Sequence, residues 1–199
     1  MSRIIKVALL SIIFVLCAAS AGAQQSAPSL PAVPPPFEPS TRLEALDAQV
    51  GSVLVKNSTY IGGVSGFSGI VMVTSYEFVD VQTGRKDYGI GIELRETGRS
   101  DKEGRDARTY VDYDEIDALT RAMDYISRIE RSATLENFEA QFRTRGELQV
   151  ATFIRPNGSL QSEVSIGFFR RAVITISLGK LADFRKLIAD AKTALDKIR

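Results

Sequence analysis

Histidine and tryptophan are absent from all 199 residues, and there is a single cysteine. Each absence removes a class of chemistry. Without histidine there is no serine–histidine or cysteine–histidine nucleophilic site, no zinc centre of the usual kinds and no histidine-held haem. Without tryptophan, and with aromatics at 8%, there is little to stack against sugar rings or single-stranded bases. Charge of either sign is not in excess: Lys and Arg number 25 and Asp and Glu 24. Such a balance gives no broad attraction to nucleic acid or to anionic membranes. Proline is scarce outside one stretch, with six of the seven falling between Pro28 and Pro39.

What is present begins with a targeting pattern. Arg3 and Lys6 make a basic start, Val7 to Leu16 is an apolar run too short for a comfortable membrane span, and Ala21-Gly22-Ala23 has the small-x-small form of a signal peptidase site. Residues 1–23 are expected to be a signal peptide, cleaved after Ala23. Cys17 follows bulky Leu16 and reads as one more apolar residue of that signal. Cleavage would remove the one thiol, so no disulfide or thiolate metal site would remain, and 23 basic residues would face 24 acidic ones. The proline-rich stretch, residues 24–39, is expected to be an extended spacer, because prolines favour polyproline II and lack amide donors. Residues 40–199 are long enough for one domain with a sizeable core.

Within that domain the chain repeats itself. In Ala107 to Arg131, Thr109, Val111 and Tyr113 alternate with Tyr110, Asp112 and Asp114, the period of a strand with one buried face. The period then changes: Ile116, Leu119, Met123 and Ile126 lie three and four apart, one stripe of a helix. Asp114 stands where an N-cap is expected. Sixty-five positions later Ile174, Ile176 and Leu178 repeat the strand, and Leu181, Phe184, Ile188 and Ala191 repeat the stripe. Further strands are expected at Ile70 to Val81, Tyr88 to Leu94, Phe138 to Arg145, Glu147 to Ile154 and Leu160 to Phe169. Turns are expected at Thr83-Gly84 and Pro156-Asn157-Gly158. Thr41 to Val50 suits a short helix. The glycines at 62, 63, 66 and 69 suit a flexible turn or an irregular edge strand, and no helix or GK[ST] follows to make a phosphate cradle.

The fold class is therefore α+β: two antiparallel meander-plus-helix units, about 50–131 and 138–199, with the helices on one face of the sheet or sheets. This order is similar in outline to the Whirly-type single-stranded DNA-binding fold. The likeness is of outline alone, with no family motif and so no residue role carried over, and export, charge and sparse aromatics point away from nucleic acid.

Three features bear on function. The sheet face opposite the apolar one is small and polar, carrying Gly89, Gly91, Glu93, Ser165 and Gly167, and small residues let a partner approach the backbone. Arg143, Arg145, Arg170 and Arg171 would make a basic patch if their strands are neighbours. The acidic run Asp112, Asp114, Glu115 and Asp117 has the hard oxygens that calcium takes, but without the glycine and terminal glutamate of the helix–loop–helix calcium loop it reads as capping and solvated surface. Together these predict an exported, non-enzymatic binding or interaction module of the cell envelope, periplasmic or secreted. Its partner would be an envelope protein or small ligand, with no cofactor, no metal, no catalytic residue and no membrane span after cleavage. The other readings are a carboxylate hydrolase centred on Asp112 and Asp114, both expected to face outward, and an oligomer-forming structural protein whose sheet edges pair.

Overall fold

The computed structural model describes residues 38–97, 104–129, 138–168 and 172–199. The expected signal peptide, nearly all of the proline-rich spacer, and Arg170 and Arg171 lie outside the described residues. Glu38–Arg199 forms one compact unit.

A short helix, α1 (Arg42–Asp47), comes first. Its start is written locally: the Thr41 hydroxyl accepts from the Glu44 amide at 3.0 Å, and Glu44 reaches back to the Ser40 amide at 2.8 Å, the reciprocal satisfaction that a Thr-x-x-Glu start makes available. Four strands follow, β1 (Leu54–Ser65), β2 (Gly69–Asp80), β3 (Lys86–Glu96) and β4 (Asp106–Asp112), paired antiparallel in chain order. A 3₁₀ turn at Tyr113–Glu115 leads into α2 (Ile116–Ser127). The pattern then recurs with shorter strands: β5 (Glu139–Arg143), β6 (Leu148–Ile154), β7 (Leu160–Ile166) and β8 (Ala172–Ile176), again in chain order, then α3 (Leu178–Asp196). The protein is α+β, with two separate four-stranded meanders, each followed by a helix.

The two sheets share one core. The inward residues of β2, β3, β6, β7 and β8, among them Val71, Ile92, Val150, Val164 and Ile174, meet the stripes Ile116–Leu119–Met123–Ile126 of α2 and Leu181–Phe184–Ile188–Ala191–Leu195 of α3 in a single cluster. The alternation of the strands and the helical spacing dictate this, since each element has one apolar side to hide. The glycine-rich run became what its composition suits. Gly62 and Gly63 lie in edge strand β1, whose register slips between Tyr60 and Gly62, and Gly66 opens the β1–β2 turn. β3 runs on past Leu94 to Glu96 and β4 starts at Asp106.

The halves lock through their turns. The β1–β2 turn lies along the free edge of β8: the Phe67 amide donates to the Thr175 carbonyl at 2.8 Å, and the Thr175 amide to the Ser68 hydroxyl at 3.2 Å. The β5–β6 turn does the same to β4, where the Thr109 hydroxyl donates to the Gly146 carbonyl. A Cβ at Gly66 would collide with the Thr175 carbonyl, and one at Gly146 with the Tyr110 carbonyl. Thr175 and Tyr110 are 65 positions apart, the period of the repeat. The two clasps are thus related by the internal symmetry, and each closes a sheet edge that would otherwise be open to other chains.

Two sequence expectations are corrected here. Asp114 is not the N-cap of α2. The backbone passes through a 3₁₀ turn first, and the Asp114 carboxylate binds Arg42 and Arg145 instead. In α3 the cap is Ser177, which accepts from the Lys180 amide, and its counterpart 65 positions earlier is Asp112. Nor does Asp112 face outward into solvent. It does lie on the non-core face of β4, but α1 covers that face and Asp112 is fully buried.

Candidate functional site

The outer face of the first sheet is read from its register. One row across it is Ser58, Tyr76, Gly89 and Asp112, the next is Tyr60, Thr74, Gly91 and Tyr110, and the next is Gly63, Met72, Glu93 and Arg108. The Gly89 end of this face is occupied by the chain itself. Leu43 and Leu46 of α1 pack with Phe78 and Tyr110 into a second small core, flanked by Leu54 and Tyr76. A Cβ at Gly89 would lie 2.6 Å from Leu43 Cδ1, so this glycine admits α1 and not an outside partner.

Asp112 anchors that helix. Its carboxylate accepts from the Arg42 amide at 2.9 Å and from the Leu43 amide at 3.3 Å, satisfying two of the free amides of the first turn of α1 and placing negative charge at the positive end of that helix. The Arg42 and Arg145 guanidinium groups stand at 3.6 and 3.3 Å. Arg145 also holds Asp114 at 2.8 Å and Glu115 at 3.1 Å, and Asp117 pairs with Lys192 at 2.9 Å. Every carboxylate of the acidic run is committed to a cation, and among the described residues no three Asp or Glu side chains are grouped to hold a metal ion. Asp112 is fully buried beneath α1, whereas Asp114 is exposed, and both carboxylates are bound by Arg42 and Arg145.

The far end of α1 is tied by Asp47. Its carboxylate accepts from the Tyr110 hydroxyl at 2.9 Å and from Lys56. Burial raises the Asp47 pKa, but the hydrogen bonds from Lys56 and Tyr110 outweigh it and leave the carboxyl below its ordinary value. Burial drives the Tyr110 phenol far above its ordinary value, and its bond to the Asp47 carboxylate adds to the rise. Tyr110 stays a donor across the physiological range.

Beyond α1 the face changes character. The Arg108 guanidinium lies 4.9 Å from the Tyr76 ring centre and 5.1 Å from that of Tyr110, and it donates to the Tyr76 hydroxyl. Tyr76, Phe78 and Tyr110 meet one another edge to face at 5.6 to 5.8 Å, a favoured arrangement for aromatic quadrupoles. Gly91 lies beneath: a Cβ there would come within 2.6 Å of the Tyr76 ring. On the other side Tyr60 is 61% exposed. Met72 is half-buried between them, and Glu93 is held by Arg95 at 2.7 Å. Gly91 is thus buried under the chain's own Tyr76 as Gly89 is under Leu43, and what this end of the face leaves accessible runs from Tyr60 and Gly63 on β1 across Met72 and Glu93 to Arg108 on β4.

The remaining residues singled out in the sequence fall elsewhere. Ser165 is buried on the outer face of the second sheet, opposite Gln149 and Val173. Gly167 has left β7 and turns the chain with φ +88°. The arginines do not gather into one patch among the described residues. Arg143 ends β5, donating to Gln149 at 2.6 Å and lying 5.4 Å from the Phe168 ring centre. Arg145 lies in the following turn and is drawn to the acidic run. Sequence reasoning missed α1 as an occupant of the face and missed Arg108, Tyr76 and Tyr60. The Thr41-x-x-Glu44 start was the available signal for the first, and an arginine two residues from a tyrosine on one strand for the second.

Comparison with models of known families, with curated proteins and with solved structures finds no significant match. No helix among the described residues is long and apolar enough to cross a membrane.

Proposed function

We propose that the chain is an exported interaction module of the cell envelope, spaced from its surroundings by the proline-rich stretch. Its contact surface is the part of the first sheet's outer face that α1 leaves open, from Tyr60 and Gly63 across Met72 and Glu93 to Arg108, with Gly91 buried beneath the Tyr76 ring. The observation that carries this reading is Arg108, held over two tyrosine rings at one edge of the face, with Tyr60 exposed at the other. Tyrosine, methionine and arginine are enriched at protein interfaces, where tyrosine and arginine carry much of the binding energy, and stacking fixes Arg108 before any partner arrives, which lowers the ordering cost of binding. The signal-like leader supports the export half of the proposal. The partner class is an envelope protein.

The test is crosslinked capture from the cell envelope with the wild type, Arg108→Glu, Tyr60→Ala and a control, Arg155→Glu, on the exposed β6–β7 turn of the other sheet. A stoichiometric partner retained by the control and lost by both face variants, all four folded by circular dichroism, is the expected result. Equal capture by the face variants refutes the surface. A monomer without partner in every case refutes the module and turns the search to small ligands.

A further inference from the structure

A second surface lies on the other side of β1. Between β1 and α3 runs an open groove of about 340 Å³, lined by Gly63, Val64, Ser65, Lys180, Asp183, Lys186, Leu187 and Asp190. Its geometry follows from the helix. Residues 180, 183, 187 and 190 recur at three and four, so they form one stripe beside the core stripe of α3. Leu187 is half-buried at its centre, against Gly62, where a Cβ would come within 2.8 Å of Leu187 Cδ2. Lys180, Asp183, Lys186 and Asp190 are exposed around it. Lys180 and Asp183 pair at 3.0 Å, whereas Lys186 and Asp190 have no ion-pair partner among the described residues.

Read along α3, the charges run plus, minus, plus, minus. Among closed two-fold arrangements that order is complementary to itself only in the antiparallel one, about an axis near the middle of the stripe. There Lys180 meets Asp190 and Asp183 meets Lys186, and each contact occurs twice. A parallel copy related by a two-fold axis is in register and would set like against like. Edge strand β1, exposed from Val55 to Tyr60, borders the same groove. It is the longest edge strand among the described residues and carries neither of the clasps that close β4 and β8.

We propose that the groove between β1 and α3 is a self-association surface, through which two copies pack α3 against α3 antiparallel about a two-fold axis beside Leu187. This is an isologous contact, in which one patch serves both copies and the assembly closes at two. The groove borders the Tyr60–Arg108 face and shares Gly63 with it.

Sedimentation equilibrium of the purified protein over a wide concentration range tests the proposal, with Asp183→Lys, Lys186→Glu and the two combined. Each single reversal sets like charges opposite each other twice, and the combined reversal restores opposite charges. A dimer is expected for the wild type, with dissociation at least about tenfold easier in each single variant, a change of one decade in Kd. The double variant is expected to return close to wild type. Added salt should weaken the wild-type dimer, since the pairs are exposed. A monomer at every concentration overturns the proposal, and so does a dimer that the single variants leave intact.

Discussion

Gly66 and Gly146 occupy the same place in the two halves of the molecule. Each sits in the first turn of its meander, against a carbonyl on the free edge of the opposite half, Thr175 for Gly66 and Tyr110 for Gly146. Neither glycine has a positive φ, so the demand is one of space. Replacing either by alanine is expected to lower stability by about 1–3 kcal/mol, the usual cost of overpacking. The obstacle is backbone, which cannot swing aside as a side chain can. Gly179, in the first turn of α3 with its nearest neighbour 4.0 Å away, is the contrasting case. Gly179→Ala should stabilise by about 0.5 kcal/mol, because alanine loses less backbone entropy in a helix. Urea midpoints of the three variants would show the opposite signs.

Asp112→Ala should be the most damaging single change near α1. It strands the Arg42 and Leu43 amides and removes the buried counter-charge of two arginines. The expected loss is about 1–3 kcal/mol, the cost of leaving buried donors unsatisfied, since the two arginines are half-exposed and keep Asp114 and Glu115 as partners. Hydrogen exchange should then speed up at residues 42–47 before it does so in α3. Arg145→Ala should cost less, because a half-exposed guanidinium is removed and the amide bonds stay.

Acid should weaken the protein through a small set of carboxyls. Bonds from Lys86 and Asn57 hold the Glu77 carboxyl below its ordinary range, and bonds from the Thr83 hydroxyl and the Gln82 and Thr83 amides do so for Asp80. A carboxyl depressed in the folded state contributes stability above its unfolded pKa, near 4, and loses it as pH falls through the folded value. Unfolding midpoints should be flat above roughly pH 5 and fall below it. Asp80→Asn should make that fall shallower, and an unchanged slope would show that the β2–β3 turn does not contribute.

Calcium should not bind the acidic run. Arg42, Arg145 and Lys192 already neutralise Asp112, Asp114, Glu115 and Asp117, and a metal would have to displace them. Calorimetric titration of calcium into the protein is expected to give no heat beyond dilution. Saturable heat would mean that the arginines can leave.

The parts of this molecule legible in the sequence were those set by neighbours along the chain. Ile116, Leu119, Met123 and Ile126 announced a helix, Tyr88 to Leu94 a strand, and the 65-residue echo a repeated unit. Alternation also told that Tyr110 and Asp112 share a face. It did not tell that α1, seventy residues earlier, lies on that face. A polar residue turned to solvent and one turned to a buried helix terminus share one pattern. Gly89 shows the same ambiguity, for a small residue that admits the chain's own Leu43 looks like one that admits a partner. Arg145 was placed on a strand because alternation carried past Arg143, whereas the turn at Thr144–Glu147 redirected it.

The reciprocal clasps also bear on how the chain reaches this state. Polypeptides emerge N-terminus first. Everything through Ser127 can therefore form while β4 still lacks the β5–β6 turn that closes its edge, and Phe67 and Ser68 wait for a strand about a hundred residues downstream. The nascent first half is a sheet with an unsatisfied rim and a docking turn with nothing to grip. Its hazard is grasping the wrong β8, that of a neighbouring nascent chain, and the exchange of whole halves between molecules is the misassembly this architecture invites.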